Sequence, residues 1–179
     1  MVYEGRLVNE KRRALVNDIY ERYTTEIENS FVNTTICENN DLRSKRVTGT
    51  KQTDIVFEHM DSVSAVMKYA GEDTAILNFA NYETPGGGFL YGAMAQEEAL
   101  CLESTLYPVI SNHEFYYKEN RQSLNYVGVL YSNRALWSPG IVFFRDGKEK
   151  YCDVITCAAP NASAYLSAGG SKVVNEKAL

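Results

Sequence analysis

The chain has 179 residues, of which 45% are hydrophobic and 23% charged. These are ordinary proportions for one globular domain that buries a core without staples, which excludes a disulfide-dependent miniprotein, a collagen and a disordered tail. Net charge is -5; residues 1–50 balance eight Lys+Arg against eight Asp+Glu, the remainder carries ten against fifteen, and residues 69–117 hold no Lys or Arg, which argues against a basic groove for DNA.

Residues 8–28 read as a helix, because Val8, Leu15, Val16, Ile19, Tyr20, Tyr23 and Ile27 recur at helical spacing with charges between them. Residues 29–52 are polar and irregular, with Ile36 a candidate for a short strand. Residues 53–57 (TDIVF) read as a strand. Asp61 or Ser62 caps a helix through Val63, Val66 and Met67, and Gly71 sits where a C-terminal cap belongs. Residues 74–79 (TAILNF) are a short apolar run, expected to be a central strand covered on both faces.

A glycine-rich loop and a helix over about 94–111 follow. Residues 126–132, 141–145 and 152–159 read as further strands, and the lack of a helix between the stretches after Asn125 makes part of the sheet antiparallel. The alternation as a whole predicts an α/β fold with a mixed sheet. Past Pro160, Ser171 caps a short helix carrying Val173, Val174 and Ala178, and the sequence stops at Leu179. A helix that short is marginal alone. The residues from about Gly169 are therefore expected to be poorly ordered or packed on a second molecule.

No apolar run nears the ~18 residues of a membrane helix, and MVYEGRLVNEKRR lacks an apolar signal core, so a cytoplasmic location is expected. Cys37, Cys101, Cys152 and Cys157 form no CxxC pair and no ligand-like spacing with His59 or His113, so they read as reduced thiols with no metal. Tyr116, Tyr117 and Tyr126 can stack on a base, but packing is the simpler reading, and burial is the default for Trp137.

The informative stretch is NFANYETPGGGFLYGAMAQEE, residues 78–98. A strand, a triple-glycine loop and a helix start together suit a phosphate or pyrophosphate, although the loop is neither a Walker A nor GxGxxG. With no cation in 69–117, an anion held there must be held by backbone N–H groups. On a helix over 94–111, Ala95, Ala99, Leu102, Leu106 and Val109 form the buried stripe. At about 100° per residue, Glu98 lies roughly 60° from the centre of that stripe and Glu97 roughly 160° from it. Glu98 then points along the buried edge toward the loop, and Glu97 points off it. A carboxyl at a core edge beside another carboxylate has a raised pKa and serves as a general acid near neutral pH. The helix dipole explains two acidic residues in a first turn, but not the inward aim of one.

NFAN, PGGG, seven residues, QEE, then ESTLYP (103–108), WSPGIVFFRD (137–146) and DVITCAAPNAS (153–163) together resemble poly(ADP-ribose) glycohydrolases in their short microbial form. The resemblance runs from about residue 1 to Ser163. It implies one catalytic domain over 1–179 with a macrodomain-like three-layer α/β/α fold and a mixed sheet. It also implies hydrolysis of the ribose–ribose O-glycosidic bonds of poly(ADP-ribose), without a cofactor. The partners implied are the polymer or an ADP-ribosylated protein, with ADP-ribose as product.

By the same resemblance, Glu98 matches the catalytic acid/base, and Glu97 matches the neighbour that, with Asn81, holds ribose hydroxyls. Gly86, Gly87 and Gly88 match the loop around the diphosphate and distal ribose, and Gln96 belongs with the substrate-binding residues. The family's second glycine-rich phosphate loop and adenine-packing aromatic have no counterpart before Leu179, so the fold is expected to be incomplete at the C-terminus. An ADP-ribose-binding module without turnover, or a fragment completed by a partner chain, is the alternative reading.

Overall fold

The structure is a computed structural model that describes residues 2–38, 53–122, 133–159, 166, 167 and 169. The expected strand over 126–132 and the C-terminal helix beginning at Ser171 lie outside the described residues.

The predicted N-terminal helix is two helices, α1 (Val2–Arg22) and α2 (Thr24–Asn33). They part at Tyr23, whose φ of -123° and ψ of 31° leave the helical region. The break lays the Tyr23 ring parallel to Phe144 at 5.6 Å and brings its hydroxyl to donate to Glu149 Oε1 at 2.6 Å. Ile19, Tyr23 and Ile27 enter the core as the spacing required, while Tyr20 remains exposed. Ile36 lies in β1 (Thr35–Glu38).

Residues 53–57 form no strand. They pair with no strand among the described residues, and Phe57 is 91% exposed. Asp61 caps α3 (Ser62–Tyr69) by accepting from the Ser64 N–H at 3.0 Å. That helix ends at Ala70 in extended conformation, one residue before the Gly71 expected to cap it.

Strand β2 (Ala75–Phe79) is followed by a 3₁₀ turn (Phe89–Tyr91), then α4 (Gln96–Leu102), α5 (Leu106–Ser111) and α6 (Glu114–Gln122). The helix predicted over 94–111 is thus broken. Between α4 and α5 the chain lies against β3 (Arg134–Arg145), where Phe144 N–H donates to Glu103 O and Thr105 N–H to Val142 O, both at 2.9 Å. Backbone groups committed to that edge cannot continue a helix. The Arg145 guanidinium locks the elbow by gripping both Glu103 oxygens at 2.5 and 2.6 Å and reaching Asp61 at 3.1 Å.

Strand β3 turns through Asp146 and Gly147, both with positive φ, into β4 (Lys148–Cys157). The sheet order is β1-β3-β4-β2, with β1/β3 and β3/β4 antiparallel and β2/β4 parallel, so the expected mixed α/β sheet is present. A bulge between Ser138 and Ile141 is clamped by Asp153, which accepts from Gly140 N–H at 2.9 Å and Trp137 Nε1 at 3.0 Å. Trp137 is 40% exposed, against the burial expected of it. Among the described residues β2 is an edge strand rather than a central one. Its residues alternate, with Asn78 inward and Phe79 63% exposed, so the apolar run does not mark a strand covered on both faces. The four cysteines are free thiols. No described helix is long and apolar enough to cross a membrane.

Candidate active site

The chain leaves β2 at Phe79, makes a turn over 80–88 and enters α4 at Gln96. Asn81 builds the turn: its Oδ1 accepts from the N–H groups of Glu83 and Thr84, both at 2.9 Å. Gly86 and Gly87 then take positive φ values of 67° and 55°. Both also permit a close approach. A Cβ on Gly86 would stand 2.6 Å from the Tyr107 ring, and one on Gly87 would stand 2.6 Å from Glu98 Oε1.

The two glutamates are bound to this turn from beneath. Glu98 accepts from Gly88 N–H at 2.8 Å through Oε1 and from Ala95 N–H at 3.1 Å through Oε2. The second bond satisfies the residue that precedes the helix, so Glu98 both ends the loop and starts α4. Glu97 accepts from Asn81 N–H at 2.7 Å through Oε2, and from Gly86 N–H at 3.2 Å and Asn78 Nδ2 at 3.3 Å through Oε1. Glu97 is 3% and Glu98 7% exposed.

The helical wheel thus places Glu98 correctly and Glu97 incorrectly. The stripe drawn through Leu106 and Val109 belongs to α5, beyond the elbow, and it has no bearing on the first turn of α4. The inward residues of α4 are Glu97, Glu98, Leu100 and Cys101. The Glu97 carboxyl has a raised pKa. Burial pushes it up to about 7 against the donors Asn81, Asn78 and Gly86, and the neighbouring Glu98 carboxylate adds to the rise.

Gln96 faces the other way. Its Oε1 accepts from Phe79 N–H at 2.9 Å and its Nε2 donates to Leu77 O at 2.8 Å, so its amide pairs with the edge of β2 as a neighbouring strand would. The loop N–H groups are likewise committed within the protein. Those of Gly86 and Gly88 bind the glutamates, Gly87 N–H binds Thr84 O at 3.0 Å, and Phe89 N–H binds Gly86 O at 2.9 Å. The structure therefore brings together Asn81, Gly86, Gly87, Gly88, Glu97 and Glu98, with the glycine N–H groups turned to carboxylates and turn carbonyls.

Positive charge reaches the loop from outside the lysine-free stretch. Arg12 of α1 lies over the Phe89 ring at 5.1 Å, and Arg121 of α6 donates to Glu83 O at 2.6 Å. Residues that sequence reasoning left unassigned lie beneath the pair. Asn78 touches Glu97 directly, while burial raises the pKa of Cys101 and Tyr117 and the charge of Glu97 adds to the rise. The available signal for Asn78 was a polar side chain inside an apolar strand run.

Residues 5–146 match the family described as microbial-type PARG, catalytic domain. Poly(ADP-ribose) glycohydrolase from Thermomonospora curvata superposes with a TM-score of 0.79 at 24% identity, covering 94% of this chain and 71% of that one. The same protein bound to the inhibitor ADP-HPD gives 0.78 at 25% identity, with 94% and 70% covered. Poly(ADP-ribose) glycohydrolase from Deinococcus radiodurans in complex with ADP-ribose gives 0.68 at 32% identity, with 79% and 60% covered. No curated protein sequence matches the chain.

Proposed function

The chain belongs to the microbial-type PARG catalytic-domain family, and on that premise we propose that it hydrolyses the ribose–ribose O-glycosidic bonds of poly(ADP-ribose), with Glu98 as the acid/base. One observation carries this reading. The Glu98 carboxyl is held on the inner wall of the glycine turn by the N–H groups of Gly88 and Ala95, so a ribose seated against Gly87 and Gly88 meets it. Protonated Glu98 donates to the leaving ribose oxygen as the anomeric C–O bond breaks through an oxocarbenium-like state. The resulting carboxylate then takes a proton from the water that attacks the anomeric carbon.

Gly86, Gly87 and Gly88 serve the diphosphate and distal ribose by close approach, since their N–H groups already have partners. Arg12 and Arg121 offer the positive charge that the turn itself lacks. Glu97 and Asn81 serve the ribose side through the turn they build, and Gln96 fixes where α4 starts. The polymer is free or attached to a modified protein; the same bond is cut in either case, with ADP-ribose as product.

The test is release of ADP-ribose from the polymer by the wild-type chain and by Glu98→Gln. Gln cannot cycle the proton, and a loss of about 10²–10⁴-fold is expected. Gln also has one oxygen for two N–H donors, so ADP-ribose affinity and thermal stability must be followed in parallel. Full turnover by Glu98→Gln would reject the assignment. Tight binding of ADP-ribose by a wild-type chain that never cleaves the polymer would establish the binding-module reading instead.

A further inference from the structure

Asn78 is the polar residue within β2, and its exposure is 0%. Its Nδ2 donates at 3.3 Å both to Glu97 Oε1 and to Thr156 Oγ1, its register partner on β4. Its Oδ1, equally buried, meets no donor among the described residues. A buried carbonyl without a donor is costly. The two ends of a side-chain amide have nearly the same shape, so its partners decide which way it lies.

The observed orientation suits an ionised Glu97, which can only accept. A protonated Glu97 has an O–H to give, and so does Thr156. With the amide turned over, Oδ1 stands where Nδ2 stood and accepts from both. Oε1, now donating toward Asn78, is a poorer acceptor for Gly86 N–H, whereas Oε2 keeps its bond from Asn81 N–H.

We propose that Asn78 is a positioning residue for the glutamate pair: its amide turns over with the proton on Glu97, so that ionised Glu97 grips Gly86 and protonated Glu97 lets it go. Among the described residues, three titratable groups act on Glu97 from the elements packed around it. Glu98 and Cys101 share its helix, and Tyr117 comes from α6. Burial is the main reason that Glu97 favours its proton, and the neighbouring Glu98 adds to it; burial also holds the Cys101 thiol and the Tyr117 phenol neutral. The catalytic consequence rests on the reading of Glu98 as acid/base; the coupling of Asn78 to Glu97 does not.

The experiment follows the side-chain carboxyl carbon of Glu97 by carbon NMR against pH in the full chain, with the amide-exchange protection of Gly86. Asn78→Leu removes the donor to the ionised form together with the acceptor for the protonated one; the charge-assisted bond is the stronger, so the Glu97 midpoint should rise by about one pH unit, tenfold in the proton equilibrium. Thr156→Val preserves shape on β4. It leaves Glu97 as the sole acceptor for Nδ2 and removes a donor to the turned-over amide, so the midpoint should fall.

In the wild type, Gly86 protection should drop about tenfold as pH falls through the midpoint, the expected scale for one hydrogen bond lost. Unchanged midpoints in both variants, or shifts of the same sign, would overturn the proposal. If Asn78→Leu fails to fold, Thr156→Val decides alone by the sign of its shift. Midpoints that move as stated in a chain without turnover would sustain the Asn78 coupling and reject the glycosidase reading; turnover with immobile midpoints would do the reverse.

Discussion

Glu98 occupies the space that a side chain on Gly87 would need: a Cβ there would stand 2.6 Å from Glu98 Oε1 and 3.1 Å from Glu97 Oε2. The glycine is therefore part of the acid/base geometry as well as of the turn. Gly87→Ala should lower turnover about 10²-fold, the scale expected when a reacting group is displaced by an ångström. Its positive φ adds a stability loss of about 1–2 kcal/mol. Polymer hydrolysis and urea unfolding on the same preparation measure both, and an alanine variant with unchanged turnover would show that Glu98 does not act from where it lies.

The buried Glu97 gives the fold a pH dependence opposite to that of a paired surface carboxylate. Its folded value of about 7 lies above the ordinary 4.5, so the folded chain prefers the neutral form. Below pH 4.5 both states hold the proton and nothing is lost. Between 4.5 and 7 the unfolded chain releases it first, so stability falls as pH rises, by roughly 3 kcal/mol in all, and levels off above 7. Urea midpoints measured from pH 4 to 8 should show this fall, and Glu97→Gln should remove it. A wild-type midpoint that climbs across the same window by as much as the variant's would contradict the burial argument.

Gln96 ties α4 to the edge of β2 through Phe79 N–H and Leu77 O. Gln96→Ala releases two groups that water can reach, at about 1 kcal/mol. Gln96→Glu should be worse, because a carboxylate accepts from Phe79 but opposes the Leu77 carbonyl. The expected mark of a positioning role is a larger effect on kcat than on ADP-ribose affinity, read by comparing polymer turnover with calorimetric binding.

Arg145 holds Glu103 at the elbow and Asp61 at the cap of α3, and its planar fork meets both Glu103 oxygens. Lysine keeps the charge without the fork. Arg145→Lys should cost about 1–2 kcal/mol, and Arg145→Met more, because the partly buried Glu103 and the exposed Asp61 then lose their cation. Thermal unfolding of the wild type and the two variants gives the order; an Arg145→Lys variant as stable as the wild type would show that charge alone holds the elbow.

The turn and the helix start were legible locally because they lie in contiguous segments. NFAN, PGGG and QEE stand within 21 residues, so the turn, the helix start and the paired carboxylates could be read without knowing any long-range contact. The same held for Asp61 as a cap and for the helical burial of Ile19, Tyr23 and Ile27.

The tertiary structure decided what depends on residues far apart in sequence. The elbow at 103–105 exists because β3 accepts those backbone groups, and that break is why Glu97 faces inward although a continuous wheel turned it out. Among the described residues, 53–57 have a strand composition but join no ladder, and β2 takes an edge position that no local pattern specifies. Arg12 and Arg121 bring charge to a turn whose own stretch has none. Asn78 owes its bearing on Glu97 to Thr156, 78 residues away, since the partners of a buried amide are set by the neighbouring strand and helix. Periodicity reports which face of an element is apolar; which element covers that face, and where a helix must stop to let another strand pair, is fixed by burial and hydrogen-bond satisfaction over the whole fold.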